Sequence, residues 1–219
     1  LSFTETVQMA DPITALSRSR DMCEWLEFEQ SPERMRTLLL QGLPGQLSPF
    51  LFLSVPGISA SEQRVCSELW IQDRNAASAS ERNNLAFHFV LEARDKLRIG
   101  YLSNDFHDHA TSRLLVETLE AHDRARFEVH AFSFGFEHDG PMRRRVCGAV
   151  DVFHDVGVLN DTDAARAIYR AGIDILVDLK GYTRGARTGI MMMHPAPVQV
   201  NYLGYPGTCL LYTSDAADE

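Results

Sequence analysis

From Lys96 onward the sequence switches, every dozen or so residues, between a short apolar run and a stretch with helical spacing. "LRIGYLS" reads as a strand and "SRLLVETLEAHD" as a helix that begins at a Thr-Ser pair. "FEVHAFSFG" is a strand, "PMRRRVCGAV" a helix and "DVFHDV" a short strand. "DTDAARAIYRAG" is a helix capped by Asp161 or Thr162 and stopped by Gly172; "IDILVDLKG" is the most apolar strand. A loop and a short Met-rich helix follow, with Met191 to Met193 as packing residues, and then the strand "PVQVNYLG". Strands alternating with helices of about 10–12 residues give βαβ units. Because each crossover returns the chain in the same direction, the sheet is parallel and the fold class α/β.

Residues 1–95 read differently, as helices joined by irregular segments. "DPITALSRSRDMCEWLEFEQ" starts at Asp-Pro; "SPERMRTLLLQGL" has Ser31 as N-cap, Pro32 at the first helical position and Gly42 near its stop. "LPGQLSPFLFLSVPG" is an ordered linker broken by proline, "SEQRVCSELWIQDRN" a third helix and "AASASERNN" a mobile loop. The division is therefore a helical extension over 1–95, a Rossmann-like region over 96–208 and a tail over 209–219.

Composition excludes several classes. At 45% hydrophobic and 23% charged the chain is an ordinary globular protein. A net charge of −9 argues against nucleic acid or an anionic membrane as partner, and Arg143 to Arg145 read as a solvated helix face. Cys23, Cys66, Cys147 and Cys209 are scattered with no C-x-x-C pair, which fits a reducing compartment. No apolar run approaches the roughly 20 residues needed to span a bilayer. The chain opens at Leu and without a basic-then-apolar leader; a cytoplasmic fragment is the expectation.

Ligands of a parallel sheet bind outside the carboxyl ends of the strands. Three segments follow strands there: "NDFHDHATS", "KGYTRGART" and "GYPGT". The first places His107 and His109 together. A metal site needs three or four ligands, and "HDH" is followed by "ATSR" rather than a further Asp-His pair. A loop histidine bonded to backbone is the plain alternative. Thr111 or Ser112 can cap the following helix, whose first amides would then attract phosphate, and an imidazole beside them could bind phosphate or take part in proton transfer. No G-x-G-x-x-G follows the first strand, which weakens a dinucleotide site and leaves a nucleotide-sugar site open. Gly181 and Gly185, and the tripeptide "YPG", also have a reading as simple turns; Tyr182 fits either core or cleft.

"RIGYLSNDFHDHATSRLL", "FEVHAFSFG", "GIDILVDLKGYTRGAR", "HPAPVQVNYLGYPGT" and the upstream "CEW" together closely resemble the O-linked N-acetylglucosamine transferases, and within them the bacterial SPINDLY-like members of glycosyltransferase family 41. The likeness covers 96–208 strongly and 20–95 weakly. It implies a GT-B enzyme of two Rossmann-like halves, of which this chain is the N-terminal one. Its members move a sugar, typically N-acetylglucosamine, from a UDP donor to Ser or Thr hydroxyls, with inversion and without a metal or other cofactor. UDP-sugar and a protein or peptide acceptor are the implied partners, with no nucleic acid or membrane.

The family's active-site histidine falls on His109; His107 falls on a variable position, and Ala110 stands where Pro is usual. The resemblance places Asp105, Thr111, Lys180, Gly181, Tyr182, Thr183, Gly204, Tyr205, Pro206, Gly207 and Thr208 along the donor–acceptor cleft. A second acid/base candidate of some members has no counterpart here, where Arg166 and Tyr169 stand near its place. The donor-binding lysine and most donor contacts belong to the C-terminal half, and the tetratricopeptide repeats lie outside the sequence. After Thr208, "CLLYTSDAADE" departs from the family and reads as non-native or truncated. Two alternatives remain: a transferase using UDP-glucose or modifying Asn, and a non-catalytic nucleotide- or phosphosugar-binding module.

Overall fold

A computed structural model describes residues 18, 22–24, 31–41, 47–90, 94–135 and 139–207. Thr208, the tail 209–219 and nearly all of the first expected helix lie outside them. The chain divides into two compact units, Leu1–Gln72 and Asp73–Glu219.

In the first unit α1 (Ser31–Leu40) and α2 (Pro49–Leu53) are followed by α3 (Ala60–Leu85), within which the division falls. Met35, Leu47, Leu51, Phe52, Val55 and Cys66 form its core. Burial pushes the Cys66 thiol up to about 12, so it is an inert packing residue. The "linker" is thus partly helical: Pro49 pre-sets the first turn and the helix buries Leu51 and Phe52. Ser59 and Glu62 start α3 with a reciprocal capping box: the Ser59 amide donates to Glu62 Oε2 at 2.8 Å and the Glu62 amide to Ser59 Oγ at 3.3 Å.

The expected mobile loop "AASASERNN" is instead the second half of α3. It contains no Gly or Pro to stop a helix. Tertiary contacts hold it: Arg82 reaches the Met192 carbonyl at 3.5 Å and Glu81 accepts from Thr162 Oγ1 at 3.0 Å.

The second unit is built on five parallel strands, β1 (Leu97–Ser103), β2 (Phe127–Ser133), β3 (Val152–Asp155), β4 (Ile175–Asp178) and β5 (Val198–Asn201). Their spatial order is β3-β2-β1-β4-β5. Between them run α4 (Ala110–Ala121), α5 (Pro141–Gly148), α6 (Asp161–Arg170) and α7 (Thr188–Met192). Side chains alternate across each strand. Ile99, Tyr101, Val129, Ala131 and Val177 pack with Leu115, Val116 and Leu119 of α4 and Val146 of α5. Gly100, Leu102, Phe132 and Leu176 are out of phase with them and face the other layer. At Gly100 the packing is close: a Cβ would press on the Phe132 and Ile173 side chains at 3.0–3.1 Å. Right-handed crossovers running both ways from β1 account for the two layers.

Two helix starts differ from expectation. Asn160, not Asp161 or Thr162, caps α6 by accepting the Asp163 amide at 2.8 Å, and His109 takes the corresponding place at α4. Arg143 is not on a solvated face: its guanidinium lies over the Phe153 ring and bonds Ser133 Oγ at 3.2 Å. Met191, Met192 and Met193 are buried, as packing residues.

Candidate functional site

The strand order reverses between β1 and β4, the place where a doubly wound sheet opens a crevice at its carboxyl rim. The loop after β1 is tied down by its own side chains. Ser103 Oγ accepts the Asp105 amide at 3.0 Å; the Asp105 carbonyl accepts Ser112 Oγ at 2.5 Å and the His107 amide at 2.7 Å. Ser112, expected as a possible cap, therefore anchors the loop instead.

The loop after β4 is organised by Asp178, whose carboxylate accepts the Lys180 amide at 2.8 Å and the Gly181 amide at 3.1 Å. Gly181 has a φ of +55°, and a side chain there would strike Tyr205. Thr183 closes the turn, its hydroxyl donating to the Lys180 carbonyl at 2.8 Å. These ties aim Lys180 inward, where Nζ meets Asp105 Oδ2 at 2.9 Å with both side chains over 90% buried. Removing one partner of such a buried pair costs about 3–5 kcal/mol, because the other charge is left in a dry site.

His109 stands beside this pair. Its backbone is extended, its side chain is 43% exposed, and Nδ1 accepts the Thr111 amide at 3.2 Å as the N-cap of α4. An amide can only donate, so in this arrangement Nδ1 is unprotonated and the ring proton sits on Nε2. His109 thus offers an N–H donor at the helix end where anions are favoured. Asp105 Oδ2 lies 3.6 Å from the same Nδ1.

The loop after β5 completes the rim. A Cβ on Gly204 would collide with the Leu179 carbonyl, so the two exit loops are in backbone contact. Tyr205 is buried and meets Tyr182 edge-on, centroids 4.8 Å apart; Tyr182 is therefore a packed residue beneath the rim. Pro206 is exposed, and Gly207 sits against the Tyr205 ring.

Of the residues singled out from the sequence, Asp105, His109, Thr111, Lys180, Gly181 and Thr183 gather around the β1–β4 crevice. Gly204, Tyr205, Pro206 and Gly207 follow β5 on the same rim. His107 faces His109 with ring centroids 5.7 Å apart. Among the described residues no group of three or more His, Cys, Asp or Glu could hold a metal ion. The sequence reading missed Asp178, whose only signal was an acid closing the most apolar strand, two residues before a lysine.

Residues 71–214 match the family Glycosyl transferase family 41. The probable UDP-N-acetylglucosamine–peptide N-acetylglucosaminyltransferase SEC of Arabidopsis thaliana is 39% identical over 113 residues, 52% of this chain and 12% of that protein. The UDP-N-acetylglucosamine–peptide N-acetylglucosaminyltransferase of Caenorhabditis elegans is 38% identical over 124 residues, 56% of this chain and 11% of that protein. A mutant of the Thermobaculum terrenum O-GlcNAc transferase superposes with a TM-score of 0.49 at 22% identity, covering 89% of this chain and 51% of that one. The aligned part of this chain spans only 11–12% of the length of the two curated relatives. With the family match running through every strand of the sheet, the chain belongs to glycosyl transferase family 41.

Proposed function

We propose that this chain forms one wall of the cleft of an enzyme that moves N-acetylglucosamine from UDP-N-acetylglucosamine to Ser or Thr hydroxyls of proteins. The relatives named above carry that donor in their names. The observation that carries the reading is His109, held as the cap of α4 through Nδ1 with its side chain 43% exposed, at the strand-order reversal and beside the buried Asp105–Lys180 pair.

In the proposed reaction the acceptor oxygen attacks the anomeric carbon while the bond to the UDP oxygen breaks on the opposite face, which inverts the centre. Negative charge grows on the departing diphosphate. An imidazole N–H and the first amides of α4 are donors suited to that charge and need no metal to act. The other half of the cleft, with most contacts to UDP, comes from outside this chain.

The test is UDP release with a Ser/Thr acceptor peptide, using the full-length protein that carries this chain. His109→Ala should lower kcat by about 10²-fold or more, the usual scale for removing one acid/base or oxyanion-type group. His107→Ala should do much less, and a chelator nothing. Near-normal turnover in His109→Ala, or loss of turnover on chelation, would overturn the reading. Release from UDP-glucose alone, or modification of Asn, would redirect it to the alternative donor or acceptor.

A further inference from the structure

The Nδ1 atom of His109 has three partners within reach, the Thr111 amide, Thr111 Oγ1 and Asp105 Oδ2, and can serve only one at a time. In the neutral ring it accepts the Thr111 amide at 3.2 Å, with Thr111 Oγ1 also at 3.2 Å. A proton placed on Nδ1 makes that contact a clash of two donors, because a backbone amide has nothing to accept with. An anionic acceptor already stands nearby: Asp105 Oδ2, 3.6 Å from Nδ1 and fixed there by its 2.9 Å bond to Lys180 Nζ. That separation is already within ion-pair range for a charged ring.

The geometry points to Asp105 as the positioning residue of His109: when the ring takes a second proton, Nδ1–H leaves the helix cap and turns to Asp105 Oδ2, which Lys180 Nζ holds in place at 2.9 Å. This rests on the proposed role of His109 in sugar transfer and states how that imidazole can carry positive charge. The second proton comes from solvent, and Nε2 keeps its own throughout. The charged ring is the stronger donor to a leaving diphosphate. Lys180 sets the balance, since its own positive charge repels an imidazolium that Asp105 attracts. His107 on the same loop meets the His109 ring with centroids 5.7 Å apart, and the adjacent Asp108 is paired with Arg113 at 2.9 Å.

The experiment follows the ¹⁵N-labelled chain by NMR through a pH titration, reading the His109 ring nitrogens and the Thr111 amide. In the unaltered chain the Thr111 amide should move in step with the ring as it loses its acceptor. In Asp105→Asn the second proton should enter about one pH unit lower, the scale set by an opposite charge at this range. In Lys180→Gln it should enter at higher pH. A Thr111 amide that stays constant through the ring titration overturns the proposal, and that measurement needs no variant to fold. An unchanged midpoint in Asp105→Asn overturns it as well.

With the full-length protein, the alkaline limb of kcat/KM, where the charged ring loses its second proton, should shift in Asp105→Asn in the same direction as the ring. The two readings fail separately. If His109→Ala keeps its turnover while the ring and amide titrate together, the function is wrong and the exchange stands. If His109→Ala is inactive and the amide does not respond, the exchange alone is wrong.

Discussion

The two rims of the sheet handle charge in opposite ways. At the amino rim, Arg94 Nη1 donates to the Gly172 carbonyl at 2.8 Å and Arg98 Nη1 to the Ala171 carbonyl at 3.0 Å. Asp174 accepts the Arg98 amide at 2.8 Å. These guanidinium groups finish the C-terminal end of α6, whose last carbonyls have no helical partner. At the carboxyl rim the charged groups face one another, with Asp105 between Lys180 and His109. A cavity of about 390 Å³ lies at the amino rim, lined in part by Arg94, Arg98, Tyr169 and Asp174. Volume and convergent chemistry are thus separated. The arginines beside the cavity serve the fold, whereas the strand reversal brings a carboxylate, a lysine and an imidazole together.

The largest effect expected of this difference is an all-or-none one. If the carboxyl rim is a single wall of a two-walled cleft, this chain alone should release no UDP above background with a Ser/Thr peptide, because positioning and charge stabilisation need both walls. Turnover by the chain alone would break the comparison, since one rim would then suffice.

Next in size is a contrast of two glycines. Gly204→Ala at the carboxyl rim puts a methyl group against the Leu179 carbonyl, which cannot move without parting the exit loops. It should cost about 2–3 kcal/mol in urea unfolding, the range of overpacking. Gly172→Ala at the amino rim meets only the tips of Arg94 and Arg98, at 3.0–3.4 Å, and bears chiefly the penalty of φ +64°. About 1 kcal/mol is expected there. Equal costs would show that the carboxyl loops are looser than their contacts imply.

The smallest effect lies between the rims. His130 Nδ1 and His154 Nε2 are 3.0 Å apart, and His130 Nε2 meets Glu128 Oε1 at 2.8 Å, itself paired with Arg98. Burial, then His130, pushes His154 below its ordinary value of 6.5; burial, then Arg124, lowers His122. A histidine held down in the folded state binds protons more readily when unfolded, so acid favours unfolding. This stability is present in full above pH 6.5 and lost as pH falls through that value toward the folded ones. Tm should drop between roughly pH 7.5 and pH 5, and His154→Gln should flatten the slope. A flat Tm in the unaltered chain would contradict it.

The alternation of strand and helix after Lys96 was legible because apolar period is a direct record of burial. The rim was legible through topology: once the strands are parallel, whatever follows them shares one edge. Helix caps were less so. Thr111, Ser112, Asp161 and Thr162 have favoured cap chemistry, yet His109 and Asn160 cap, because the choice falls to the residue left extended where the loop enters the helix. The second half of α3 was misread because Ala, Ser and Asn carry little local signal, and its partners Met192 and Thr162 are distant in sequence. Asp178 escaped notice for a related reason: its carboxylate acts on backbone amides, which leave no residue-type signature.

The backbone contact between Gly204 and Leu179, and the seat that Gly181 leaves for Tyr205, bind the "KGYTRG" and "GYPG" loops into one part. Variation at one is therefore constrained by the other. In chimeras assembled from two members of the family, a junction placed between Gly185 and Val198 would separate loops shaped in different parents and should yield insoluble protein. Junctions before Ile173, which keep both loops from a single parent, should be tolerated far better.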